Sequence, residues 1–269
     1  MNERFNELFQ DDAYLNLKNG LFSYQLRRRH LRPLVSGPAS ERILDLGCGI
    51  SPTAPPAPNV VYVDISFEAL RHLSRQHPQA GFLVADASRL PFKSGAVARL
   101  LCSEVLEHLE HDERTLQEMS RILQPGGHLV ITVPIHRHYY TFDDAYVGHF
   151  RRYEVRDLLR MLEACGFRIV RVRKVAAVLE KAATYVMART FAFLAQRQSS
   201  GDAGARPGPR WWFRPYRIAN TAWSYVCWLE SKVTPLALAT IVSMECRKAV
   251  VASSEPAAAP VSGRRAASR

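Results

Sequence analysis

The sequence predicts an α/β fold: a doubly wound, mostly parallel sheet with a helical insert ahead of its last strand. Three observations predict it. Between residues 42 and 175, short apolar runs rich in Val, Ile and Leu alternate with amphipathic stretches, the rhythm of parallel strands joined by helices. The first two runs, "RILDLGCG" and "VVYVD", each end in aspartate, and the first leads into a glycine turn. Two aromatic-rich apolar segments, 176–196 and 211–240, then interrupt the rhythm before "IVSMECRK" at 241–248 returns as an edge strand.

Taken in order, residues 13–36 place Leu15, Leu17, Leu21, Phe22, Leu26 and Leu31 on one helical face, so 1–38 reads as a helical lead-in. Strands are expected at 42–46, 60–64, 81–85, 98–102, 128–133 and 167–175, and helices at 66–77, 112–123 and 154–165. "LQPGGHLVITVP" reads as a helix end, a Pro-Gly-Gly turn and a buried strand. This core spans 39–175, the insert 176–240, and the tail 249–269 is low in complexity, a composition that forms no packed core. A polar linker, "RQSSGDAGARPGP", divides the insert.

A chain of 269 residues, 47% hydrophobic and 23% charged, suits one large domain with additions. Lys and Arg total 36 against 25 acids, for a net charge of +11 and a pI near 9.7. That charge suits nucleic acid, an anionic membrane face or a phosphorylated substrate, and suits a merely basic soluble protein equally. The arginines are dispersed and no nucleic-acid-binding module is recognisable. Five scattered cysteines without C-x-x-C argue for reduced thiols and a reducing compartment. "MNERFNELFQDDAY" lacks the apolar core of a secretory signal, so the expected location is cytoplasmic.

At the first strand end, Asp45 precedes Gly47-Cys48-Gly49, where the chain can turn sharply and a ligand can approach the backbone. A dinucleotide site would run straight into a helix, whose N-terminus holds pyrophosphate. Pro52, Pro55, Pro56 and Pro58 stand there instead and cannot sustain a helix, which disfavours a diphosphate. Asp64, 17 residues after Gly47, is placed to accept from ribose hydroxyls, and Asp86 in "LVADAS" to accept from an adenine amino group. One strand-end aspartate usually caps the next helix. Three in register describe a nucleoside without a diphosphate.

"ILDLGCG", "VDIS", "ADASRLPF", "LLCSEVLEHL" and "LQPGGHLVITVP", in this order over residues 40–175, resemble the successive motifs of class I S-adenosylmethionine-dependent methyltransferases (type 11-like). The resemblance implies a Rossmann-like, seven-stranded sheet whose last strand is antiparallel. It also implies S-adenosylmethionine as methyl donor: Asp45, Gly47, Cys48 and Gly49 around its methionine part, Asp64 and Ile65 at the ribose, Asp86 and Ala87 at the adenine, and Cys102 and Ser103 near the sulfonium. The chain departs from the family at Ser51, where a third glycine is common, and in its proline loop. A sulfonium amino acid needs no phosphate cradle, so the loop is compatible.

Methyl transfer to a hydroxyl needs an aligned nucleophile and a base. Candidates are Glu104, Glu107 and His108 in "SEVLEH", then His136, His138, Tyr139 and Tyr140, and His149, Arg151, Arg152 and Tyr153 in "VGHFRRYE". His149 is the preferred base, with His108 second. On a helix Glu104, Glu107 and His108 would share a face. That arrangement resembles the E-x-x-E-H metal site of ubiquinone-pathway and small-RNA methyltransferases, with His149 where the RNA enzymes place a later histidine. Mg²⁺ is therefore considered but not favoured, since relatives carry "LEH" without metal. Arg151 and Arg152 are candidates to clamp an anionic substrate group, or to lie on a solvated loop.

The insert lacks the ~18–20 uncharged apolar residues a membrane span needs, being broken by Glu180, Lys181, Arg189, Glu230 and Lys232. It reads as an ordinary helical cap, or as a lid whose Trp211, Trp212, Phe213, Trp223 and Trp228, beside Arg210, Arg214 and Arg217, meet a membrane surface. The expected function is methyl transfer from S-adenosylmethionine to a small or lipid-linked acceptor. An RNA methyltransferase, nucleic acid being the less expected partner, and a non-catalytic scaffold are the alternatives.

Overall fold

The structure, a computed structural model, describes residues 20–35, 37–199 and 213–250. The expectations for 1–19, for Arg210, Trp211 and Trp212 and for the tail from 251 lie outside the described residues, as does the side chain of Phe213.

Seven strands form one sheet in the order β3-β2-β1-β4-β5-β7-β6. They are β1 Ile43–Leu46, β2 Val60–Asp64, β3 Gly81–Val84, β4 Val97–Ser103, β5 Leu123–Pro134, β6 Phe167–Ala176 and β7 Ile241–Lys248. β1 to β5 pair in parallel. β7 inserts antiparallel between β5 and β6, as the family resemblance implies. The helices are α1 Phe22–Val35, α2 Phe67–Gln76, α3 Asp112–Ile122, α4 Phe142–Val147, α5 Val155–Ala164, α6 Val178–Ser199 and α7 Phe213–Val233.

Strand alternation divides the core. Leu44, Leu46, Leu100, Cys102, Leu129 and Ile131 face one side, covered by Leu116, Met119 and Ile122 of α3 and Leu158 and Leu162 of α5. Ile43, Tyr62, Leu101 and Val130 face the other, covered by Leu31 and Val35 of α1 and Leu70 and Leu73 of α2. Each fully buried leucine among these contributes about 1.5–3 kcal/mol. Between β1 and β2 the proline loop forms turns and no helix.

Two local expectations are corrected. β5 starts at Leu123, so Pro125-Gly126-Gly127 lies inside the strand as an irregularity where β4 pairing jumps from Val97↔Leu123 to Arg99↔His128. Glu104, Glu107 and His108 do not share an α-helical face. Glu104 adopts φ 56, its amide donating to the Thr132 carbonyl at 3.1 Å, and a single 3-10 turn covers Leu106–His108. Leu106, 0% exposed, anchors that turn in the core.

Candidate functional site

The rim at the carboxyl ends of β1–β5 has two halves. In the first, Gly47 and Gly49 adopt φ 67 and 51, and a side chain at Gly47 would meet Val105 Cγ2 at 2.3 Å, whereas nothing lies within 4 Å of one at Gly49. The glycine turn therefore presents open space at Gly49. Asp64 accepts from the Gly49 amide at 2.7 Å and from the Ser66 amide at 2.9 Å. Asp86, two residues beyond the Asp64↔Val84 register pair, accepts from the Ser88 amide and hydroxyl, both at 2.8 Å. Ile65, at the same rim, is 44% exposed, and Val84 48%. Ala87 is half-buried.

Asp45 plays a different part. It is buried and accepts from the Thr53 and Ala54 amides at 2.9 and 2.8 Å, while Tyr62 donates to the Ala54 carbonyl at 2.9 Å. A buried carboxylate thus gathers the proline loop where a helix would otherwise stand. Burial pushes Asp45 up to about 7, against the pull of the two amides. Cys48 and Cys102 both turn their thiols into the core; Ser103 shares a hydrogen bond with Thr132 at 2.8 Å.

In the second half, His149 Nδ1 meets Asp144 Oδ1 at 2.9 Å, and its Nε2 lies 3.9 Å from Glu107 Oε1. Asp144 also accepts from Arg152 Nε at 2.9 Å and Lys181 Nζ at 2.6 Å. Lys181, from α6, donates as well to both oxygens of Asp143 at 2.8 Å. Burial pushes the Asp144 carboxyl up, but the bonds from His149, Arg152 and Lys181 outweigh it and hold the group far below the ordinary carboxylate range. The ionised Asp144 accepts from His149 Nδ1–H, and Nε2 faces Glu107. His108 lies edge-on to His149, with ring centroids 4.6 Å apart, and its Nδ1 faces the Gly148 carbonyl at 3.3 Å.

Glu107 is 0% exposed, and neither of its carboxyl oxygens, nor Glu104 Oε1, has a hydrogen-bond partner. Burial, then the Glu104 charge, pushes Glu107 well up. Glu180 of α6 is pushed up to about 7, mainly by burial and further by Glu104. Glu107, His108 and His149 offer ligand atoms within 4.8 Å of one another. Glu104 stands outside that group.

Both arginines are engaged within the protein. Arg152 is buried, spanning Asp144 and the Ile135 and Thr240 carbonyls at 3.3 and 3.2 Å. Arg151 bonds Asp112 at 3.2 Å and the Glu110 carbonyl at 3.0 Å. Tyr153 donates to Asp112 at 2.5 Å, and Tyr140 to the His149 carbonyl at 2.8 Å. His136 contacts the Leu236 carbonyl at 3.2 Å and stacks on His138. Sequence reasoning missed Asp143, Asp144 and Glu180. The signal available was "TFDDAYVGH", where Thr141 and Asp144 form a capping box.

The methyltransferase domain family matches residues 44–131, about a third of the chain. Over 153 residues the chain is 29% identical to the demethylmenaquinone methyltransferase of Streptomyces avermitilis, covering 54% of this chain and 66% of that protein. The enzyme of that name from Renibacterium salmoninarum is 28% identical over 169 residues, 60% of this chain and 68% of its own. The matched domain, these relatives and the sheet order support a class I S-adenosylmethionine-dependent methyltransferase. Its aligned part spans about two thirds of those two relatives. In fold it is similar to geranyl diphosphate C-methyltransferase from Streptomyces coelicolor, with TM-score 0.54 and 13% identity over 83% of this chain and 79% of that one.

Proposed function

We propose that this methyltransferase transfers a methyl group from S-adenosylmethionine to a small or lipid-linked acceptor, with His149 as general base. One observation carries the reading: an open rim, Asp64 between Gly49 and Asp86, shares the strand tips with an imidazole whose Nδ1 is held by Asp144. Asp64 receives the ribose hydroxyls, Ile65 lies along the nucleoside, and Asp86 with Ala87 receives the adenine. Gly47, Cys48 and Gly49 border the methionine part through their backbone, Asp45 acting through the loop it folds. Cys102 and Ser103 contribute backbone beneath the sulfonium.

The acceptor's lone pair attacks the methyl carbon while the carbon–sulfur bond breaks and its electrons return to sulfur, leaving S-adenosylhomocysteine. The acceptor's proton passes to His149 Nε2, and Asp144 stabilises the imidazolium. Glu107 and the adjoining His108 form the wall beside that proton. The demethylmenaquinone relatives favour an acceptor of isoprenoid or quinone type. No described helix is long and apolar enough to cross a membrane. The insert roofs the site through Lys181 and Glu180, and we assign its outer face to peripheral contact with the inner membrane surface. Transfer of labelled methyl from S-adenosylmethionine into a lipid extract, lost in His149→Ala, is the expected result. Label in total RNA and none in lipid would overturn the acceptor class. No calorimetric heat with millimolar S-adenosylmethionine would make the chain a scaffold.

A second reading concerns a cation. The buried, unpartnered Glu107 with His108 and His149, each imidazole held at Nδ1, is a donor set suited to an ion that accepts imidazole, such as Zn²⁺. It does not fit Mg²⁺, which takes oxygen ligands. Bound there, such an ion would lower the pKa of an acceptor hydroxyl. Elemental analysis of the purified protein, and of Glu107→Gln, separates the two readings: stoichiometric metal in the first and none in the second supports the ion.

A further inference from the structure

On α7 the side chains are arranged opposite to those of an ordinary surface helix. Its packed face carries Asn220, Ser224, Cys227 and Ser231. Ser224 and Ser231 are almost fully buried, and Asn220 accepts from the Phe22 amide of α1 at 3.0 Å. The outward face carries Ile218, Ala222, Tyr225, Val226, Leu229 and Val233, spaced at i, i+4, i+7, i+8, i+11 and i+15, a stripe about 100° wide. Ile218 is 70% exposed, Leu229 59% and Val233 84%.

The stripe ends at a groove of about 490 Å³ between β6, α1 and the end of α7, lined by Arg171, Arg173, Lys174, Lys232, His30 and Leu236, among others. Arg173 is held by Glu245 at 2.8 Å. Arg171, Lys174 and Lys232 have no carboxylate partner among the described residues. Lys174 instead donates to the Thr234 carbonyl, and Lys232 lies over the Trp228 ring at 5.0 Å. His30, on Ser231 Oγ at 3.3 Å, is pushed down to about 4, mainly by burial and further by Lys232, Arg29 and Arg173. Leu236 also accepts from His136, past the end of β5, joining the groove to the catalytic rim.

We propose that this groove takes the phosphate of an anionic phospholipid headgroup while the α7 stripe enters the adjoining acyl boundary. Cations at the edge of an exposed apolar stripe are what such a surface requires, and the net charge of +11 adds long-range attraction. The proposal rests on the membrane-peripheral reading of the insert and is independent of methyl transfer.

The test is co-sedimentation of the full chain with phosphatidylcholine vesicles, with and without about 30% phosphatidylglycerol, at 0.1 M salt. Arg171→Gln/Lys232→Gln neutralises two exposed cations, and Leu229→Asp interrupts the stripe; unchanged circular dichroism and Tm establish folding of both. Expected is binding to the anionic vesicles, weakened about 30-fold by the double variant and abolished by Leu229→Asp. Equal wild-type binding to both vesicles, or full binding by the double variant, overturns the groove and leaves the peripheral reading standing. No vesicle binding at all overturns both. Calorimetric binding of glycerol 3-phosphate without vesicle binding reassigns the groove to a soluble phosphate. A stable dimer that Leu229→Asp dissociates reassigns the stripe to a second copy; either result sinks the proposal.

Discussion

Around the proposed nucleoside rim, carboxylates are met by backbone amides close in sequence: Ser88 lies two residues from Asp86, and Gly49 fifteen from Asp64. Around the proposed base, charges meet side chains from another part of the chain, Lys181 reaching Asp143 and Asp144 across 38 and 37 residues. The first half is set by strand ends and turns that form together. The second is completed only when Lys181 of the insert docks on Asp143 and Asp144. If the proposed roles hold, chemistry and tertiary stability are coupled in the proposed acceptor half and separable in the proposed cofactor half.

The largest effect should come from His149. His149→Ala is expected to lower kcat about 100- to 10,000-fold while leaving the dissociation constant of S-adenosylhomocysteine unchanged, as read by single-turnover kinetics and calorimetry. A matching loss of cofactor affinity would erase the division between halves. Next is Lys181→Met, which leaves Asp143 and Asp144 without their shared ammonium and breaks a buried ion cluster. Urea unfolding should show a loss of about 3–5 kcal/mol. Asp64→Ala sharpens the contrast from the other side. Removing a charged acceptor costs about 1.5–3 kcal/mol, so cofactor binding should weaken roughly 10- to 100-fold with a much smaller change in kcat at saturation.

The position of the first half of the rim was legible because its determinants are local. Period-two apolar runs set the strands, and an aspartate ending a run lands at the rim by geometry alone, which located Asp64 and Asp86 without a fold. The Asp45 role was only half legible. Its neighbours in sequence are glycines, but its partners, the Thr53 and Ala54 amides, depend on how the proline loop closes. The acceptor half was opaque for a different reason. Nothing in "VLEKAAT" announces that Lys181 faces inward, since a lysine in an amphipathic run ordinarily points to solvent. The i, i+3, i+4 spacing of Glu104, Glu107 and His108 suggested a shared helical face, but burial of Leu106 and the left-handed turn at Glu104 yield a 3-10 turn instead. The pairing of His149 with Asp144, five residues away in its own loop, is local by contrast.

Coupling between halves also has a pH signature. Glu180 titrates at about 7 in the folded protein, raised mainly by burial, against about 4.3 when unfolded. The folded state holds its proton more tightly, so stability is fully present below the unfolded value and falls as pH rises towards 7. Glu180→Gln should remove on the order of 2–3 kcal/mol of that decline. Asp45, also raised to about 7 by burial, should leave a residual slope in the variant. Denaturant midpoints at pH 4.5, 6 and 7.5 measure both, and an unaltered slope would place Glu180 in water.

The finest distinction lies within the glycine turn. Gly47 and Gly49 both need left-handed backbone, so alanine at either carries about 1–2 kcal/mol of conformational cost. At Gly47 the added Cβ also strikes Val105 at 2.3 Å, and at Gly49 it enters open space. Val105 sits between strand β4 and the turn bearing Glu107 and His108, so it cannot retreat without moving the acceptor half. Gly47→Ala should therefore be less stable than Gly49→Ala by about 1–3 kcal/mol. Gly49→Ala should instead weaken cofactor binding, because its methyl fills the rim that the nucleoside is proposed to occupy. Equal stabilities would mean that Val105 yields freely, and that the two halves meet less tightly at this point than the packing implies.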